Sequence, residues 1–235
     1  MKRFLCLFFT LTLFMFTLPT QAAEPYINVY AHGDREQKRI AVTVDDWYDS
    51  ELLPDFLDAA AEYDCKLTLY PIGINLHAKE KDNWQRAIDE GHEIGNHTNT
   101  HINLDKLSRD RITRQLVNME KNLHKLLGDE YEVNTVRYPF GAGRHRSRSS
   151  GFAKAVSEAG YLHVVLWDVD STDAKEVLRK VQNGSIILLH GRKKDLRTLK
   201  AILPKLQEKG YEMVTVSELL GLTKTTPVPV PKTKH

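Results

Sequence analysis

The stretch "RIAVTVDDWYDS", Arg39 to Ser50, decides the fold. Its first half is apolar and β-branched, the composition of a strand buried on both faces. It then stops on two adjacent carboxylates, Asp45 and Asp46, followed by Trp47. Neighbouring side chains of a strand point to opposite faces, and like charges side by side need solvent or a positive partner. A strand end beside a metal ion would supply that partner.

Working outward, the runs "KLTLYPI", "VNTVRY", "HVVLW", "SIILL" and "YEMVTV" repeat the strand pattern, and helical patterns separate them. Ile112, Leu116, Met119, Leu123 and Leu126 recur at helical spacing between a Ser108 cap and Gly128. Leu196, Leu199, Leu203 and Leu206 do the same, with Asp195 as cap, a kink at Pro204 and a stop at Gly210. This alternation predicts an α/β fold with a parallel sheet. Several strand runs also lead into ionisable residues: Asp45 and Asp46, Arg137, Asp168 and Asp170, and His190. In a barrel of parallel strands such ends converge on one face, where active sites form.

The chain ends set the remaining bounds. Lys2 and Arg3 precede the apolar run Phe4 to Leu18 and the small residues before Ala22, the layout of an export signal. The expected division is a signal peptide over 1–22, a catalytic domain over 23–222 and a Pro-rich basic tail over 223–235. The run is short for a membrane span, so the mature protein is expected to be secreted or periplasmic and not membrane-embedded. Cleavage removes two basic residues and no acidic one, which brings the balance of 33 basic to 31 acidic side chains to zero. That excludes the basic footprint of a nucleic-acid binder. Cys65 stays behind alone and reads as a small buried apolar side chain.

"GHEIGNHTNTH" places His97 and His101 four residues apart, a spacing that on a helical turn puts both imidazoles on one face. The pair alone decides little, because histidines at that spacing also occur on solvated helices. A carboxylate from a neighbouring strand end would complete the open three-ligand set of a catalytic zinc.

The order "TVDDW", "HTNTH", "RYPFG", "DVDSTD" and "LLH" resembles the five successive motifs of the polysaccharide deacetylases, the NodB-like carbohydrate esterase family 4, over roughly Arg39 to Leu220. The resemblance implies a distorted, incomplete (β/α) barrel and metal-dependent removal of acetyl groups from N-acetylated sugars. It makes Asp46, His97 and His101 the metal ligands, Asp45 the catalytic base and Arg137 the group that holds Asp45 ionised. His190 becomes the general acid, with Asp170 as its carboxylate partner, while the backbone N–H of Phe140 faces the oxyanion and Leu188 lines the acetyl methyl pocket. The implied cofactor is a divalent metal, Zn2+ first, then Co2+ or Ni2+. The implied partner is an N-acetylated polysaccharide such as peptidoglycan or chitin.

Three features depart from the family pattern. Trp47 stands where glycine is usual and is expected to line the substrate groove; Ala174 replaces a usual tryptophan; the segment from Asp173 to His190 is short. Two alternatives stay open: an O-acetyl xylan esterase on the same fold, and a non-catalytic glycan-binding member. Singly, Arg137, Asp168, Asp170 and His190 also suit surface bridges or loop caps. Trp84 and Trp167 read as core, and Arg144, His145, Arg146 and Arg148 as a solvated basic loop able to meet an acidic glycan.

Overall fold

The computed structural model describes residues 27–142 and 151–222. The signal-peptide and tail segments and the basic run Arg144 to Arg148 lie outside the described residues. Strands β1 (Asn28–Tyr30), β2 (Arg39–Asp46), β3 (Leu67–Pro71), β4 (Glu93–Ile94) and β5 (Thr135–Val136) come first. They are followed by β6 (His163–Val165), β7 (Val169–Asp170), β8 (Ile186–His190) and β9 (Glu212–Met213). The helices are α1 (Leu53–Ala61), α2 (Lys81–Asp89), α3 (Arg109–Leu127), α4 (Gly151–Glu158), α5 (Ala174–Lys180), α6 (Lys193–Glu208) and α7 (Val216–Leu219).

Every pairing between these strands is parallel, in the orders β4-β3-β2-β8-β7, with β9 also on β2, and β1-β6-β5. Asn96, just past β4, bridges Val136 of β5 and joins the two sheets, while His32 and Ser185 make a single antiparallel bridge. The sheet therefore curls toward closure without completing it, which is the distorted, incomplete barrel that the motifs imply.

Strand alternation sorts β2 into two faces. Ile40, Val42 and Val44 pack outward into the main core with Leu53 and Phe56 of α1 and Leu199 and Leu203 of α6. Ala41, Thr43 and Asp45 take the other face, where Ala41 meets Tyr70, Val165 and Ile186. Each fully buried leucine or isoleucine on the outer layer contributes about 1.5–3 kcal/mol. The helix predicted between Ser108 and Gly128 forms as α3, with all five periodic apolar residues buried. Cys65 and Trp84 are buried in the same main core, and burial pushes the Cys65 thiol up to about 12.

Some boundaries differ from the sequence pattern. "YEMVTV" gives a strand of only two residues, because the Thr215 hydroxyl and the Glu218 carboxylate cap each other's backbone and start α7 instead. Asp195 does not cap the helix that begins before it. It lies in the first turn of α6, buried, and its side chain turns back toward β8.

Candidate active site

The register of β2 against β8 sets Asp45 opposite His190 and Thr43 opposite Leu188. Arg137 follows β5 and is fully buried. Its Nη1 donates to Asp45 Oδ1 at 2.8 Å and to the Thr43 hydroxyl at 2.6 Å. Nε and Nη2 donate to the carbonyls of Val165 and Leu166. Its guanidinium is stacked over Tyr70, 4.4 Å from the ring centroid, and lies 5.7 Å from the Trp167 ring. A planar cation with several fixed donors suits this setting as lysine would not. The arrangement pins one oxygen of Asp45 and leaves the other, Oδ2, facing His97 Nε2 at 3.8 Å.

Asp46 ends β2 with φ 75°, and Trp47 follows at φ 58°. Left-handed backbone costs an ordinary residue roughly 1–2 kcal/mol, so two in succession need an anchor. Trp47 is that anchor. Its indole is fully buried, donates from Nε1 to the Val44 carbonyl at 2.9 Å and packs edge-on against Phe56 and Trp84. A side chain at Gly191, directly after His190, would collide with this indole. The expectation that Trp47 lines the groove is thus corrected: the side chain points into the core, and it is Tyr48 that turns outward, 65% exposed.

His97 and His101 do not share a helical turn. Thr98 (φ 68°) and His101 (φ 55°) bend the segment into a loop. The Asn96 side chain accepts from Thr98 N, and Gln115 Oε1 accepts from the N–H groups of Asn99 and Thr100. The loop nevertheless brings the imidazoles together, with His97 Nε2 3.4 Å and His101 Nε2 3.1 Å from Asp46 Oδ1. One possible ligand atom from each of the three residues lies within 4.8 Å of the others. His97 Nδ1 meets the Arg137 carbonyl at 2.8 Å and His101 Nδ1 meets the Tyr48 hydroxyl at 3.3 Å, which leaves both Nε2 atoms for a metal. One carboxylate and two outward-braced imidazoles fit a divalent cation with a coordination position open. Burial raises the Asp46 pKa, but hydrogen bonds and charge from His101 and His97 outweigh it and hold the carboxyl well below the usual range.

The proposed carboxylate partner of His190 also changes. Asp170 is exposed at the end of β7, whereas buried Asp195 places Oδ1 3.7 Å from His190 Nδ1 and accepts from His190 N at 3.2 Å. Burial lowers the His190 pKa, yet Asp195, Asp45 and Asp46 together raise it against the opposing charge of Arg192. Asp168 is a structural staple that accepts from Arg35, Ser185 and the Ile186 N–H. Leu188 lies two residues before His190 on the same side of β8, nearly buried. Phe140 is in the left-handed region at φ 60°, and its exposed ring lies 4.8 Å from that of His101.

The sequence gives Asp195 only the role of a helix cap, and it does not point to Tyr48 or to Arg192, whose Nη2 lies 3.4 Å from Asp46 Oδ2. Tyr48 was visible beside the paired aspartates. Asp195 and Arg192 follow His190 by five and two residues, and an acidic residue in a first helical turn gave no cue to its direction.

Comparison with known proteins yields the same grouping. A polysaccharide deacetylase family model matches residues 32–164. The peptidoglycan-N-acetylglucosamine deacetylase PgdA of Listeria monocytogenes is 31% identical over 197 residues, covering 80% of this chain; the chain spans only 40% of that relative's length. The solved Bc1960 peptidoglycan N-acetylglucosamine deacetylase superposes with a TM-score of 0.74 at 29% identity, covering 86% of this chain and 96% of that one. A mutant of BA3943, described as a family 4 pseudoenzyme with restored activity, gives 0.71 at 26% identity, covering 82% and 71%. The chain belongs to the polysaccharide deacetylase family.

Proposed function

We propose that this chain is a metal-dependent hydrolase that removes acetyl groups from the N-acetylated sugars of an exported or cell-wall polysaccharide of the peptidoglycan or chitin type. The observation that carries this reading is the division between two neighbouring aspartates. Asp46 faces two histidines, while Asp45 is held by Arg137 and stands opposite His190 in strand register. A glycan-binding protein needs neither the second carboxylate nor the histidine.

Asp46, His97 and His101 are the ligands in this reading. Bound there, Zn2+ (or Co2+ or Ni2+) supplies a Lewis acid and lowers the pKa of water to about 7. Asp45 Oδ2 takes the proton of the attacking water, and the bond to Arg137 keeps that carboxylate oriented through the step. The backbone N–H of Phe140 donates to the oxygen on which charge develops. His190, held protonated by Asp195, gives its proton to the departing amine, so that acetate and a free amino sugar result. Leu188 offers an apolar wall to the acetyl methyl group. Export fits both the apolar N-terminal run and the polymeric substrate.

The test is acetate release from a panel of N-acetylglucosamine oligomers, peptidoglycan fragments and acetylated xylan, with and without chelator. Acetate from the amides that is lost to chelator and restored by zinc supports the reading. Release only from xylan esters moves the chain to the O-acetyl esterases, and release from nothing makes it a non-catalytic member.

A further inference from the structure

Among the described residues, the large hydrophobic side chains that stand exposed are Tyr48, Ile74 and Phe140. All three border the same loop. Tyr48 and Phe140 flank the His101 ring with centroids 6.0 and 4.8 Å away, and Ile74 N donates to the Asn99 carbonyl two residues before His101. Exposed apolar side chains grouped around one loop mark a binding surface, and sugar rings present the apolar C–H faces that aromatic rings cover.

Tyr48 has a second relationship that Phe140 lacks. If His101 offers Nε2 to the metal, its proton sits on Nδ1, and the phenolic oxygen 3.3 Å away is the acceptor. The corresponding nitrogen of His97 is braced by the buried Arg137 carbonyl. One ligand is therefore oriented by fixed backbone, and the other by a side chain that a substrate can touch. Having accepted from Nδ1–H, the phenol keeps its own proton to donate outward. Its position is not left to chance either, because the buried Trp47 indole fixes the residue immediately before it.

We propose that Tyr48 is the positioning residue of His101 and also a direct contact of the bound sugar, by ring face and hydroxyl, so that substrate binding and metal binding meet in one side chain. This rests on the metal and substrate assignment above and adds a residue to it.

The test uses the full chain titrated with Co2+, comparing wild type with Tyr48→Phe and Tyr48→Ala. Tyr48→Phe keeps the ring and loses the oxygen. It should weaken cobalt binding about 10- to 100-fold and shift the cobalt d–d spectrum, as loss of an outer partner to a ligating histidine does. Tyr48→Ala should show the same metal defect and, at saturating metal, a KM for N-acetylglucosamine oligomers several-fold above that of Tyr48→Phe. Thermal unfolding of the metal-free proteins should coincide, since the side chain is exposed. Wild-type cobalt affinity and spectrum in Tyr48→Phe would overturn the positioning role. A KM that is the same in wild type, Tyr48→Phe and Tyr48→Ala would overturn the sugar contact. A wild-type chain that takes up cobalt yet releases no acetate sinks the deacetylase reading while the cobalt comparison still decides the role of Tyr48; one that takes up no cobalt overturns both.

Discussion

Asp195 reaches back from the first turn of α6 to hold His190 twice, through the backbone N–H at 3.2 Å and beside the imidazole Nδ1 at 3.7 Å. A group whose folded pKa is raised is protonated below that value and loses its proton as pH rises through it, so a rate that needs the His190 proton falls on the alkaline side. Asp195→Asn removes a charge that raises the pKa, and the alkaline limb of kcat/KM should move to lower pH. Asp170→Asn should leave it in place. A limb that moves with Asp170 and not with Asp195 would return the pairing to β7.

Trp47 is expected to govern stability and not substrate choice. Truncating a buried tryptophan costs about 3–5 kcal/mol, and glycine at φ 58° gives back roughly 1 kcal/mol of backbone strain. Denaturant unfolding of Trp47→Gly should therefore show a loss of about 2–4 kcal/mol, with activity ratios across a saccharide panel unchanged. Stability equal to wild type would mean that the indole is no anchor.

Arg137 and Asp45 form a fully buried pair, and removing one partner leaves a charge without compensation. Arg137→Met should cost about 3–5 kcal/mol. Adding Asp45→Asn should recover part of that loss, because the stranded charge is gone. Strictly additive losses in the double variant would show that the two side chains are not coupled.

How much of this was legible in the sequence depends on whether the signal was local. The β2 run, the α3 periodicity and the order of the ionisable strand ends are patterns along the chain, and they set Asp45, Asp46, Arg137 and His190 at converging ends of parallel strands, while the incomplete barrel follows from the family resemblance. The i and i+4 spacing of His97 and His101 is compatible with a helix and with a bend; Thr98 and His101 adopt left-handed backbone, which no spacing reveals. Side-chain direction was the second blind spot. After left-handed Asp46 the chain no longer alternates as a strand, so Trp47 turns inward and Tyr48 outward. Asp195 reads as a helix cap in the sequence because its true partner lies across a strand-to-helix turn, where only the three-dimensional path brings them together.

The central claim is that adjacent, chemically identical carboxylates have different tasks, and metal content measured alongside acetate release in Asp45→Asn and Asp46→Ala tests it most directly. After dialysis against zinc, Asp46→Ala should hold far less than one metal per chain and release no acetate. Asp45→Asn should hold wild-type metal while turnover falls about 10²- to 10⁴-fold, the usual loss for a positioned general base. Metal lost from Asp45→Asn and retained by Asp46→Ala, or full turnover in Asp45→Asn, would contradict the account.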